Sequence, residues 1–151
     1  MAAGYSGTPL WKKLVIRPAD RLTLIDGPRG WAVADVPDGV VTRAERGRAQ
    51  DAAQTEGEAA DTIIVFLREL ATARRRIPEL APRIFPDGAV WAAWPRRAGG
   101  HQSDITENDI RAIALPLGLV DVKVAALDVD WSGLRLVWRR ERRQPSKSTR
   151  G

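Results

Sequence analysis

The 151-residue chain has no cysteine. That excludes disulfides, thiolate nucleophiles, iron–sulfur ligation and every cysteine-based zinc site. Histidine is nearly absent too: His101 is the only one, so any imidazole base, Ser-His pair or histidine metal site has to use that ring. No apolar run approaches the ~20 residues that span a bilayer, and the first ten residues lack the basic start and apolar core of a signal peptide. No membrane partner is expected, and the protein is expected to stay in the cytoplasm. Paired catalytic carboxylates, metal-ligand spacings and a Walker loop are missing as well, so no cofactor and no metal is expected from motifs.

Charge is present but unevenly placed. The net charge is +5. Six of the 24 basic side chains and one of the 19 acidic ones lie in residues 139–151, which leaves 18 of each sign in residues 1–138. The excess therefore belongs to the C-terminal segment. Its arginines can bind a polyanion such as nucleic acid weakly and without sequence preference, although no aromatic side chains are interleaved with them.

A chain of this length is one ordinary domain. We expect a single α/β unit over residues 1–140, with a mobile loop at 44–60 and a disordered basic tail at 141–151. Thr8-Pro9-Leu10-Trp11 opens a short helix with Thr8 as cap, and Leu22–Asp26 is a first strand ending at a Gly-Pro turn. A short helix over Gly30–Val36 and a strand over Gly39–Thr42 are weaker signals. Thr62–Leu67 is apolar on both faces, which places it inside a parallel sheet covered by helices. Glu69–Arg76 is helical in composition, with Pro78 expected to break it before a second short helix to Ile84. Ala89–Trp94 is the next strand, a buried parallel neighbour of Ile63–Phe66, sending Trp91 and Trp94 to opposite faces. Thr106-Glu107-Asn108-Asp109 resembles a capping box ahead of Ile110, Ile113, Ala114 and Leu117 at helical spacing. Val120–Leu127 and Leu134–Val137 are joined closely enough for an antiparallel hairpin. The order implies a three-layer Rossmann-like sandwich, with a mostly parallel sheet and an antiparallel C-terminal hairpin.

From Asp61 onward this order resembles the second half of a Rossmann-like methyltransferase. The resemblance is one of element order and not of active-site motif. Where such an enzyme has a glycine-rich turn after the first strand, this chain has Asp26-Gly27-Pro28-Arg29-Gly30, with a proline that removes a backbone donor. S-adenosylmethionine is therefore expected to bind poorly, and the first half of the sheet is expected to be truncated. The chain also resembles the bacterial family known as domain of unknown function 3052. Gly4-Tyr5-Ser6-Gly7-Thr8-Pro9-Leu10, Phe85 to Arg97 with Trp94-Pro95-Arg96, Ala114 to Val124 and Trp131 to Val137 carry that likeness. It implies a fold and assigns no activity.

The candidate ligand site lies where the strand over 89–94 runs into its following loop: Trp94, Arg96, Arg97, His101 and Asp104. A tryptophan platform followed by two guanidinium groups can grip an aromatic ring bearing a phosphate or carboxylate, and helix N-termini at that sheet edge add positive potential. The plainer reading is a core tryptophan, two solvated arginines and an exposed loop histidine. With a neutral body, six tryptophans and little catalytic equipment, the sequence favours a non-enzymatic binding or regulatory module for an anionic small molecule or an acidic protein partner. The alternatives are a degenerate methyltransferase-like enzyme and polyanion binding through the tail.

Overall fold

A computed structural model describes residues 8–46 and 59–143 of the chain. Six strands form one sheet in the spatial order β2-β1-β3-β4-β6-β5, with β1 Arg21–Ile25, β2 Val41–Glu45, β3 Thr62–Phe66, β4 Ala89–Pro95, β5 Leu119–Ala126 and β6 Trp131–Trp138. Strands β2, β1, β3 and β4 are parallel; β6 runs antiparallel to both β4 and β5. The fold is thus the mixed α/β sheet expected from the sequence, with β3 and β4 the neighbouring parallel strands expected; Ile63 pairs with Val90.

Both faces of the central strands are covered, which is why β3 and most of β4 read as unbroken apolar runs. On one face Ile25, Ile63, Val65, Val90, Ala92 and Trp94 pack under two helices, α2 Leu70–Leu80 and α3 Glu107–Ala114. On the other, Leu22, Leu24, Ile64, Phe66 and Trp91 meet Leu14 and Ile16, which follow the short helix α1 Leu10–Lys13, together with Trp31, Val33 and Val40 from the β1–β2 connection. The period-two geometry of β4 sends Trp91 and Trp94 into these two separate clusters. The buried Trp91 indole N–H donates to the Leu14 carbonyl at 3.1 Å, tying α1 to the sheet.

Local expectations are revised at five places. Pro9 rather than Thr8 takes the N-cap position of α1, because its extended ψ turns its carbonyl onto the N–H groups of Lys12 and Lys13. The expected helix over 30–36 is an irregular run of turns, since Gly27, Pro28, Gly30, Pro37 and Gly39 punctuate the connection too densely for one. Strand β2 sits two residues later than expected and takes Ala44 and Glu45 out of the expected loop; the core of that loop, 47–58, lies outside the described residues. Pro78 does not break α2, because Ala73, Ile77 and Leu80 are buried on one stripe across it and that packing outweighs the lost backbone bond. At the C-terminus Arg140–Arg143 form a helical turn, α4, where the basic tail was expected to begin, and Arg143 Nε donates to the Trp138 carbonyl at 2.7 Å. Residues 144–151 of the expected tail lie outside the described residues. No helix among the described residues is long and apolar enough to cross a membrane.

Candidate functional site

The chain passes outward from β1 to β2, then returns across β1 to β3 and onward, so the strand order reverses between β1 and β3. In open α/β sheets the crevice at the carboxyl ends of such strands is the usual ligand position. Here β1 is followed by Asp26, whose φ of 57° is left-handed, and by Gly27-Pro28-Arg29-Gly30. Gly27 lies so close to Phe66 that an added Cβ would stand 3.2 Å from the ring, so glycine lets the loop fold down on β3. Strand β3 ends in Leu67-Arg68, and the Arg68 guanidinium donates to the Asp26 carbonyl at 3.3 Å while lying 5.1 Å from the centre of the Trp131 ring.

The loop after β4 is pinned at three points. The Arg96 N–H donates to the Asp130 carbonyl at 2.8 Å, and its guanidinium donates to the carbonyls of Asp128 and Val129 at the hairpin turn. His101 Nε2 lies 2.8 Å from Asp130 Oδ1. Asp104 Oδ1 accepts the backbone N–H of Leu70 at 2.8 Å and so caps α2 from outside. Further on, Thr106 and Asp109 close the capping box of α3, as the sequence predicts. Gly99 faces Val129 so closely that an added Cβ would fall on the carbonyl oxygen, which allows the loop to lie against the hairpin.

These elements enclose a cleft of about 380 Å³, lined by Pro28, Arg68, Pro95, His101, Gln102, Asp130 and Trp131. Its size falls within the ~300–1,000 Å³ usual for small-molecule sites. Phe66 lies beneath it, in edge-to-face contact with Trp31 at 4.9 Å and with Trp131 at 5.0 Å. The cleft is therefore lined by one aromatic ring, Trp131, one guanidinium and one imidazole–carboxylate pair, whose side chains are 43% and 51% exposed.

Of the five residues expected to form the site, the structure brings only His101 to this cleft. Trp94 is 8% exposed and belongs to the helix-side core. Arg96 is bound to hairpin carbonyls, Asp104 is committed to the α2 terminus, and Arg97 is exposed outside the cleft lining. The sequence reading did not name Arg68, Asp130 or Trp131 as site residues, whereas Gln102 lies within the loop from His101 to Asp104 to which it pointed. Arg68 carried a usable signal, because it directly follows the most apolar strand at its carboxyl end. Asp130 carried none, since a carboxylate in a hairpin turn is ordinary until the turn is found to face the β4 loop.

Two of the solved structures that resemble this architecture define its fold type. One is the fibrillarin pre-rRNA processing protein of Methanococcus jannaschii, with a TM-score of 0.60 at 14% identity, the match covering 89% of this chain and 70% of that one. The other is a SAM-dependent methyltransferase from Aquifex aeolicus, with a TM-score of 0.56 at 8% identity, covering 84% of this chain and 86% of that one. No family model and no curated protein matches the chain in sequence. The fold is thus Rossmann-like, of the kind found in methyltransferases. These neighbours, one of them a SAM-dependent methyltransferase, run against the expectation of a non-enzymatic binding module.

Proposed function

We propose that this chain is a methyltransferase-like enzyme whose chemistry takes place in the cleft at the carboxyl ends of β1, β3 and β4. The observation that carries the reading is the position of the His101–Asp130 pair: a potential proton acceptor stands beside the strand-order reversal of a methyltransferase-type sheet. With Nε2–H donating to the Asp130 carboxylate, Nδ1 is the ring nitrogen left to accept a proton, and Asp130 fixes the tautomer and orientation of the ring. Asp130 is itself held by its backbone N–H, which donates to Asp128 Oδ1 at 2.8 Å.

The methyl donor implied by the fold is S-adenosylmethionine, which when bound supplies an electrophilic methyl group. The residues present fit it through side chains and not through the backbone. Arg68 offers a guanidinium for the carboxylate, and Trp131, backed by the buried Phe66, offers the apolar ring that lines the cleft. Two customary anchors are unavailable. No helix follows β1, and Glu45, twenty residues after Ile25 at the end of β2, has both carboxylate oxygens bound to Arg83. Side-chain anchoring without the backbone cradle predicts weak binding, with a Kd of about 0.1–1 mM, or roughly −5.5 to −4 kcal/mol.

The test is calorimetric titration with S-adenosylhomocysteine, paired with transfer of label from methyl-labelled donor to candidate acceptors. Saturable binding lost in Arg68→Ala, with transfer that falls with protonation of a single group and disappears in His101→Asn, supports the reading. Absence of both binding and transfer at millimolar donor refutes it.

A further inference from the structure

The basic C-terminal segment, which the cleft does not use, begins at the opposite end of the sheet. Ala89 opens β4 and pairs with Val137, and Leu119 opens β5 and pairs with Trp138. The approach to β4, the approach to β5 and the residues that follow β6 therefore meet at the end of β4 away from the cleft. Three arginines are held there by separate contacts. The Arg139 guanidinium donates to the Leu115 carbonyl at 3.3 Å, and Arg143 Nε donates to the Trp138 carbonyl at 2.7 Å. A Cβ placed on Gly118 would stand 3.2 Å from both the Arg142 guanidinium and the Trp138 ring, so these two side chains lie over the same glycine.

Arg139, Arg142 and Arg143 have the i, i+3, i+4 spacing of one helical face, and the Arg142 N–H donates to the Arg139 carbonyl at 2.9 Å. The two printed guanidinium bonds end on backbone carbonyls, which leaves further N–H groups of each fork for a ligand. Among the described residues no carboxylate pairs with any of the three, and Glu141 between them is exposed.

Residues 139–151 contain no aromatic side chain, but the fold brings two to them. The Trp138 indole N–H donates to the Ala81 carbonyl at 2.9 Å, which fixes its ring. Phe85 packs edge-to-face on Trp138 at 5.4 Å and is nevertheless 43% exposed. An anchored, exposed ring thus stands next to the side chain over which Arg142 lies.

We propose that Phe85, Trp138, Arg139, Arg142 and Arg143 form a contact surface for single-stranded nucleic acid, independent of the cleft. Phe85 takes one base by stacking, and the guanidinium groups take the adjacent phosphates. A carboxylate-rich peptide would satisfy the guanidinium groups alone, whereas a single strand offers a phosphate and a stacking face in every nucleotide. A duplex keeps its base faces covered and has none to give Phe85.

Fluorescence anisotropy of a short labelled oligothymidylate, titrated with the full chain at several salt concentrations, tests this. The wild type is expected to bind, with log K falling against log salt by a slope of about −2 or steeper, roughly 0.7 for each of three phosphates. Arg142→Gln is expected to make that slope shallower by about 0.7. Phe85→Leu keeps the apolar bulk and removes the ring, and is expected to weaken binding about five- to tenfold at an unchanged slope. Arg68→Ala, in the cleft, is expected to leave the affinity unchanged, so this surface stands or falls apart from the enzymatic reading. Circular dichroism shows whether each variant is folded. The proposal is overturned if the wild type does not bind, if folded Phe85→Leu binds undiminished, or if Arg142→Gln keeps the full slope. Equal affinity for polyglutamate of matched charge overturns it in favour of an acidic protein partner, and loss of binding in Arg68→Ala overturns it by putting the strand in the cleft.

Discussion

The Asp128 carboxylate accepts the indole N–H of Trp31 at 2.9 Å, joining two residues that lie 97 positions apart. Its other oxygen accepts the backbone N–H groups of Asp130 and Trp131, both at 2.8 Å. One side chain thus shapes the β5–β6 turn and fastens the helix-free β1–β2 connection to it. Replacing Asp128 with alanine is expected to destabilise the protein by about 1–3 kcal/mol, the cost of leaving partly buried donors unpaired. Urea unfolding measures the loss, and the Trp31 indole proton resonance should shift at the same time.

The two arginines after β4 should behave differently. Arg97 is exposed and outside the cleft lining, so Arg97→Ala should leave stability within about 0.5 kcal/mol of wild type. Arg96 holds the hairpin turn through two carbonyls, and Arg96→Ala should cost about 1 kcal/mol. Hydrogen exchange should locate the loosening at residues 127–131. Equal effects of the two substitutions would contradict this division.

Glu45 and Arg83 form a two-pronged pair at 2.8 and 3.1 Å, with side chains 9% and 3% exposed. Glu45→Gln removes the negative charge that both prongs of the buried Arg83 guanidinium meet and should cost about 3 kcal/mol. Glu45→Met combined with Arg83→Met should recover much of that loss, because an apolar pair has no charge to desolvate. Equilibrium unfolding of Glu45→Met, Arg83→Met and the double variant forms the cycle that checks it.

Asp61 governs acid stability at the opposite end of the sheet. The Arg21 side chain, bonded to both of its oxygens, holds its carboxyl below the usual carboxylate range against the opposing effect of burial. A depressed native pKa stabilises the folded state above the unfolded value of about 3.9, and that contribution is lost as pH falls through the lower native value. Asp61→Asn should therefore be less stable than wild type at neutral pH and should converge with it in strong acid. Unfolding free energies between pH 2 and pH 7 give the comparison; an unchanged difference across that range would contradict it.

The sequence was most legible where side-chain periodicity and burial agree. Thr62–Phe66 and Val90–Ala92 could be placed as adjacent buried strands because an apolar residue at every position has no stable setting except between two covered faces. The capping box at Thr106 was equally legible, since its partners are three residues apart. Legibility failed at Trp94, whose following arginines suggested a platform although its strand phase turns it into the helix-side core. It failed again at Pro78, where burial of α2 outweighs a local breaker.

Composition and local pattern by themselves determined the α/β class, the parallel order of the central strands, the antiparallel hairpin and the exclusion of cysteine chemistry, because each depends on residues near one another in the chain. Tertiary structure alone decided the cleft. Arg68, His101, Asp130 and Trp131 come from the ends of three strands and meet only because β6 is inserted antiparallel between β4 and β5, which brings the hairpin turn up against the β4 loop.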